Sequence, residues 1–280
     1  MEFVARYGVV PREVVAAWAG TAKAATAGRE RRLRMEGLIE VGAGLGGSGR
    51  LLHATRDGLA AVGRKELRVP RPSAGAVRHE AAVARVGIWL EAGGHRVLSE
   101  RELLAAERVE GRRIYSVRTG ERLHRPDLVV IGERPEAVEV ELTPKAPRRL
   151  DVILRAWARA VASGQYEGVR YLCPPVTLRL LQRALARTNL GERVTAGPLP
   201  VLGQAGAELP PDPSDQANSH HRTSSGTDVA IAGSRATRDE ASPPASRVLK
   251  LLNFDSLNSN STTPHALSVG QLPGAPRSAF

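Results

Sequence analysis

Arg125-Pro126-Asp127-Leu128-Val129-Val130-Ile131, then Ala137-Val138-Glu139-Val140-Glu141-Leu142-Thr143 and Lys145, are the residues whose reading decides the fold. Leu123 to Ile131 reads as one strand and Ala137 to Thr143 as the next, with a turn from Gly132 to Pro135 between them. The second stretch alternates cleanly. Val138, Val140 and Leu142 point to one face, Glu139 and Glu141 to the other. Asp127 stands at the start of the first strand. Adjacent strands lie about 4.8 Å apart, so Asp127, Glu139 and Glu141 can converge. Converging carboxylates repel one another unless a hard cation joins them, and Mg²⁺ takes such oxygens. One or two ions held this way can activate water for phosphodiester cleavage. Lys145, just beyond the strand, can stabilise charge on a phosphate. The plain alternative is that Glu139 and Glu141 are the solvated face of an edge strand.

Outward from this pair, the periodicity predicts a helix over Arg78–Glu91, with Val83, Val86, Trp89 and Leu90 as its apolar stripe. His95–Glu100 reads as a short strand and Arg101–Val109 as helical; Ile114–Val117 is ambiguous. After the two central strands come a helix over Arg149–Ala162, a strand over Gly168–Cys173, a helix over Val176–Ala186 and an extended piece over Arg193–Val201. The order is helix, three strands, helix, strand, helix. Trp18, Trp89 and Trp157 all fall on apolar helical faces and are expected in the core.

Residues 69–76 (VPRPSAGA) read as a linker, because two prolines and a glycine stop regular structure. Ahead of it, Pro11 can open a helix carrying Val14, Val15 and Trp18. Thr21 can cap a second helix that ends at Gly37. A strand over Leu38–Val41, a glycine-rich tip (GAGLGGSGR) and a returning strand over Leu51–Thr55 follow. Helix, turn, helix and a loose-tipped hairpin is the order of a winged helix-turn-helix. From about residue 204 the chain turns to Pro, Ser, Asn, Thr and Gly; such a stretch buries too little apolar surface to offset its ordering entropy and is expected to be disordered. The expected units are therefore 1–68, 77–203 and a tail over 204–280, in an α/β (α+β) chain.

The stretch RRLRMEGLIEV…GSGRLLHATRDGLAAVG resembles winged-helix DNA-binding domains. In that family the second helix enters the major groove and the wing touches backbone. The resemblance implies that Lys23, Thr26, Arg29, Arg31 and Arg32 face double-stranded DNA, with Arg50 on the wing. Residues 77–203 resemble the PD-(D/E)xK restriction-endonuclease-like nucleases, an αβββαβ fold, with Pro126-Asp127 as the first half of the motif. That resemblance implies Asp127 and Glu139 as metal ligands and Glu80 as a further acid on the preceding helix. Glu141 stands where the family has its lysine, and Lys145 is the displaced substitute. Together, the winged helix and HE…W…SERELL…RPDLVV…AVEVELTPK resemble the replication-relaxation family of actinobacterial plasmids and mobile elements. The family implies a DNA-related role in plasmid replication, mobilisation or transfer, alongside the proteins of those processes.

Composition agrees with these expectations without requiring them. The 280 residues carry 40 Lys plus Arg against 29 Asp plus Glu, a net charge of +11. Only Lys23, Lys65, Lys145 and Lys250 are lysines; the rest of the basic residues are arginine. A GC-rich genome produces that bias, and so does selection for phosphate binding. No apolar run reaches the roughly 18 residues of a membrane span, so no membrane partner is expected. Met1–Val10 lacks a secretory pattern, and Cys173 is the single cysteine; both fit a cytoplasmic protein. No Walker loop or dinucleotide fingerprint supports a metabolic enzyme. Two readings stand: a DNA-binding protein with Mg²⁺-dependent nicking activity, or a non-catalytic DNA-binding regulator whose nuclease-like half serves docking or homodimerisation.

Overall fold

In the computed structural model, which describes residues 1–43 and 49–200, regular structure begins with a short helix and an extended turn into proline. These are α1 (Glu2–Tyr7) and β1 (Val9–Pro11), followed by α2 (Arg12–Trp18), α3 (Lys23–Met35), β2 (Ile39–Ala43), β3 (Arg50–Ala54) and α4 (Arg56–Ala61). Pro11 precedes α2, where its missing N–H costs nothing. The three strands pair antiparallel in the order β1-β3-β2. Thr55 closes the hairpin: its hydroxyl accepts from Gly58 N (3.0 Å), capping α4, and donates to Gly37 O (2.7 Å). A Cβ on Gly58 would lie 1.9 Å from Leu38 O, so this close approach admits only glycine.

Past the irregular stretch 69–73 and a turn over 74–76 come α5 (Val77–Ala92), β4 (Arg96–Ser99), α6 (Glu100–Glu110), β5 (Val117–Thr119), β6 (Arg122–His124), β7 (Leu128–Ile131) and β8 (Glu136–Val140). Then follow α7 (Pro147–Ala162), β9 (Val169–Cys173), α8 (Pro175–Thr188) and β10 (Val194–Pro198). The main sheet has five strands in the order β10-β9-β8-β7-β4. β4, β7 and β8 run antiparallel in turn, whereas β9 is parallel to both β8 and β10. Alternation along each strand divides the core. Leu98, Val129, Ala137 and Tyr171 face a cluster closed by Leu154 and Trp157 of α7 and Leu181 of α8. Val97, Leu128, Val130, Val138 and Val140 face a second cluster containing Val86 and Leu90 of α5.

That second cluster also holds Phe3, Tyr7, Val10 and Val14, so the first part packs directly on the same side of the sheet. Gly87 of α5 permits the contact, since a Cβ there would sit 2.2 Å from the Tyr7 ring. Beside it Glu102, fully buried, receives Arg6 Nε at 3.0 Å and the Arg64 guanidinium. Its other oxygen accepts from Ser99 N at 2.9 Å, completing a capping box at the start of α6. Arg6 reaches further to Glu91 (2.7 Å), which also accepts the Tyr7 hydroxyl (2.9 Å).

Several expectations are corrected. The stretch Leu123–Ile131 is two strands, β6 in a small hairpin with β5 and β7 in the main sheet, because Pro126 offers no N–H to a continuous ladder. β8 lies third of five, so it is no edge strand, and Glu139 and Glu141 are buried. α3 starts at Lys23 with Ala22 as its uncapped boundary; the Thr21 hydroxyl instead bonds Thr26. Trp157 is fully buried, but Trp18 is 47% exposed and only stacks against Phe3. The glycine-rich tip over 44–48 and the tail beyond 200 lie outside the described residues. No helix among those described is long and apolar enough to cross a membrane.

Candidate functional site

The register that aligns Leu128 with Val138 puts Asp127, immediately before β7, beside Glu139 on β8. Asp127 is fixed by two bonds. Its Oδ2 accepts from Val140 N at 2.7 Å, so the carboxylate extends the ladder that Pro126 interrupts. Its Oδ1 lies 2.8 Å from Nε2 of His79 on α5. This bond raises the His79 pKa above the ordinary histidine value against the opposing effect of partial burial.

Glu139 points to the opposite side of β8 from its valines, opposite Tyr171 in register. His124, at the end of β6, brings Nε2 to 2.9 Å from Glu139 Oε1 and sets its ring edge-on to Trp157 at 5.6 Å. Burial raises the Glu139 pKa, and His124 opposes that rise without cancelling it. The same contact raises the His124 pKa although burial acts to lower it. The 2.9 Å approach lacks hydrogen-bond geometry, so the buried Glu139 Oε1 has no hydrogen-bond partner. Glu141 follows, in ion-pair contact with Lys145 four residues on. Burial lowers the Lys145 pKa, while the negative charges of Glu139 and Asp127 act to raise it.

Asp127, Glu139, Glu141 and Lys145 thus fall in one neighbourhood, as the strand pattern predicts. The three carboxylates are engaged separately. Each has its own cationic neighbour: His79, His124 or Lys145. Among the described residues no three His, Cys, Asp or Glu side chains are arranged to hold a metal ion. Both Asp127 oxygens are engaged in the side chains as placed, by His79 and by Val140 N. Glu80 lines the same cleft as Asp127, without a hydrogen bond or ion pair to it among the described residues. It follows His79 on α5 and faces Arg101, and burial raises its pKa. His79 takes the position beside Asp127 that Glu80 was expected to supply. Arg125, just before Pro126, is held by Glu107, buried in α6, at 3.0 Å and lies 3.6 Å from Glu100. Arg148 and Arg149 are exposed.

On the first part, α3 exposes Arg29, Arg31 and Arg32, and among the described residues none of them has a carboxylate within ion-pair distance. Thr26 does not share that face. It is 4% exposed, with its hydroxyl bonded to Thr21 and to Ala22 O. Arg50 opens β3 and is half-exposed, 3.4 Å from Glu30. Glu30 is itself buried on the inner face of α3, where it also holds Arg12. Lys23 opens α3, and its side chain lies outside the described residues. Comparison with protein-family models, with curated proteins and with solved structures finds no match.

The residues that sequence reasoning missed are His124, Arg6, Arg64, Glu102 and Glu107. Their signal was weak. His124 lies in the quoted LHRPD string, but its pairing with Glu139 depends on a hairpin that the string does not announce. Ser99 and Glu102 do form a readable S-x-x-E pattern.

Proposed function

We propose that the chain is a DNA-binding protein of plasmid or mobile-element replication, relaxation or transfer, acting in the cytoplasm. Residues 1–68 serve as a winged helix-turn-helix, and residues 77–203 as a restriction-endonuclease-like unit. The observation that carries this reading is the unpaired arginine face of α3. Among the described residues Arg29, Arg31 and Arg32 stand clear of carboxylates, whereas Arg12 behind them is bound to a buried glutamate. Uncompensated guanidinium groups on one helix face suit DNA phosphates and base edges. The order α1-β1-α2-α3-β2-β3 and the strand order β1-β3-β2 support the same reading.

For the second unit, the neutralised acids favour a docking or accessory role. Two observations favour a second reading, a Mg²⁺-dependent nicking centre at Asp127, Glu139, Glu141 and Lys145. The Lys145 amine lies within electrostatic reach of both Glu139 and Asp127, and Glu139 keeps a buried oxygen without a hydrogen bond. Incubating the full chain with supercoiled plasmid in Mg²⁺, Mn²⁺ or EDTA, beside Asp127→Ala, separates the two. A salt-sensitive gel shift without nicking is the expected result. Metal-dependent nicking that Asp127→Ala abolishes establishes the second reading. Absence of any shift overturns both.

A further inference from the structure

A cleft of about 440 Å³ opens between the two parts of the molecule, walled by the segment after α4, by α5 and by α6, with Asp127 and His79 in its lining. Five arginines line it, Arg68 and Arg71 from the connecting segment, Arg101 and Arg108 from α6 and Arg113 beyond it, against the three acids Glu80, Glu100 and Asp127. The surroundings of the first four arginines differ from those of other inward-turned arginines. Arg6, Arg64, Arg125 and Arg170 each meet a carboxylate at close range. Among the described residues Arg113 meets Glu107 at 3.4 Å, whereas Arg68, Arg71, Arg101 and Arg108 have no carboxylate within ion-pair distance. Arg101 donates to Arg68 O at 2.6 Å, and Arg108 to Glu66 O at 2.9 Å. Both bond to neutral carbonyls and keep their full charge. The buried Arg101 Nε has no hydrogen-bond partner. Burial lowers its pKa, and the more distant charges of Glu80 and Glu102 only partly oppose that. Concave positive surface of this kind concentrates anions.

We infer that this cleft takes the phosphodiester backbone of a single DNA strand and leads it to Asp127. The inference rests on the DNA-binding reading above and adds a second contact, distinct from α3. One strand is inferred because a cleft of about 440 Å³ is small beside a duplex, whose major groove alone is about 12 Å wide. A positively charged groove that tracks one backbone is the usual basis of sequence-tolerant single-strand binding. The cleft has little to stack on, because Tyr7 is buried with its hydroxyl bonded to Glu91 and the His79 ring is held by Asp127. Its affinity is therefore carried by phosphates and depends strongly on salt.

The test uses the full chain and fluorescence anisotropy with a labelled single-stranded oligonucleotide and its duplex, across a salt series. Arg68→Glu with Arg71→Glu changes two exposed side chains outside both apolar clusters, so the fold is expected to survive. Single-strand affinity is expected to fall roughly tenfold and the salt slope to drop by about 1.4, at about 0.7 per phosphate contact. Duplex affinity is expected to change less than about twofold. Arg68→Lys with Arg71→Lys retains single-strand binding, because lysine still binds phosphate as a point charge. The companion variant Arg29→Ala, Arg31→Ala, Arg32→Ala has the opposite pattern, losing duplex binding and keeping single-strand binding. Unchanged single-strand affinity and slope in the Glu variant overturn the inference. An equal loss on duplex and single strand also overturns it, since the arginines are then a general phosphate patch. If the α3 variant alone fails to weaken duplex binding, the winged-helix reading falls while the cleft inference stands.

Discussion

Two buried glutamates, Glu102 at the seam between the parts and Glu139 in the middle of the sheet, meet opposite fates. Glu102 is 0% exposed and has two arginines, a backbone N–H and a serine hydroxyl around it. Burial alone would raise its pKa, but these partners reverse the shift and lower it. Glu139 is 4% exposed and has one histidine at 2.9 Å in poor geometry, and its pKa is raised. The difference lies in the supply of donors. A buried carboxylate that is fully surrounded is a structural joint; one left short of donors favours a proton or an incoming cation. The molecule therefore spends its best charge compensation on holding its two parts together, and leaves the sheet site unsatisfied.

The largest expected effect breaks the joint. Glu102→Gln removes the one carboxylate that Arg6 and Arg64 share, leaving Arg6 to Glu91 and Arg64 to Glu2, and is expected to cost about 3 kcal/mol, the lower end of the usual penalty for removing one partner of a buried pair. Thermal denaturation measures it, and a loss below about 1 kcal/mol would contradict the joint. Because the Glu102 pKa is lowered, its contribution is present above the ordinary glutamate value and is lost as pH falls through the folded value. The variant therefore loses the acid-side stability slope that this residue supplies.

Gly87→Ala tests the same seam without touching a charge. The added methyl meets the Tyr7 ring, so the first part must shift off α5. The expected cost is about 1–3 kcal/mol, as for other overpacked contacts, with increased proteolysis between residues 62 and 77 as an independent readout.

Glu139→Gln has the smallest effect and the opposite sign. A raised folded pKa means that Glu139 favours the folded state fully only below its unfolded value, and that this contribution is lost as pH rises through the folded value. Replacing the carboxylate by a neutral amide removes that loss. The variant is expected to match or exceed wild-type stability at pH 8, by on the order of 1 kcal/mol, and the advantage should shrink towards pH 4. A variant less stable than wild type at pH 8 would show that the His124 contact satisfies Glu139 as fully as the arginines satisfy Glu102.

Much of this was legible along the chain. The alternation Val138-Glu139-Val140-Glu141 is a strand pattern, and the two faces it defines are those the core uses. Periodicity, prolines and glycines gave the helices and the strand–turn–strand before Lys145, because those signals are local. The position of β8 in the sheet was not legible. Nothing in its own residues distinguishes an edge strand with a solvated acidic face from a central strand with buried acids; the parallel partner β9 decides it. Thr26 and Arg29 stand three residues apart on α3, yet one is buried and the other exposed, because the inner face is chosen by what packs behind it.

The sequence by itself determined most helices and main-sheet strands from α2 onward, though not α1, β1 or the β5–β6 hairpin, together with the acids and the lysine that the sheet brings near one another and the surplus of arginine. Only the tertiary structure decided which arginines are neutralised, which carboxylate is satisfied, and that Tyr7 and Arg6 lock the first part onto α5 and α6. The physical reason is range. Backbone preference and side-chain periodicity act over a few residues, whereas desolvation and charge pairing depend on groups up to about a hundred residues apart, such as Arg6 and Glu102.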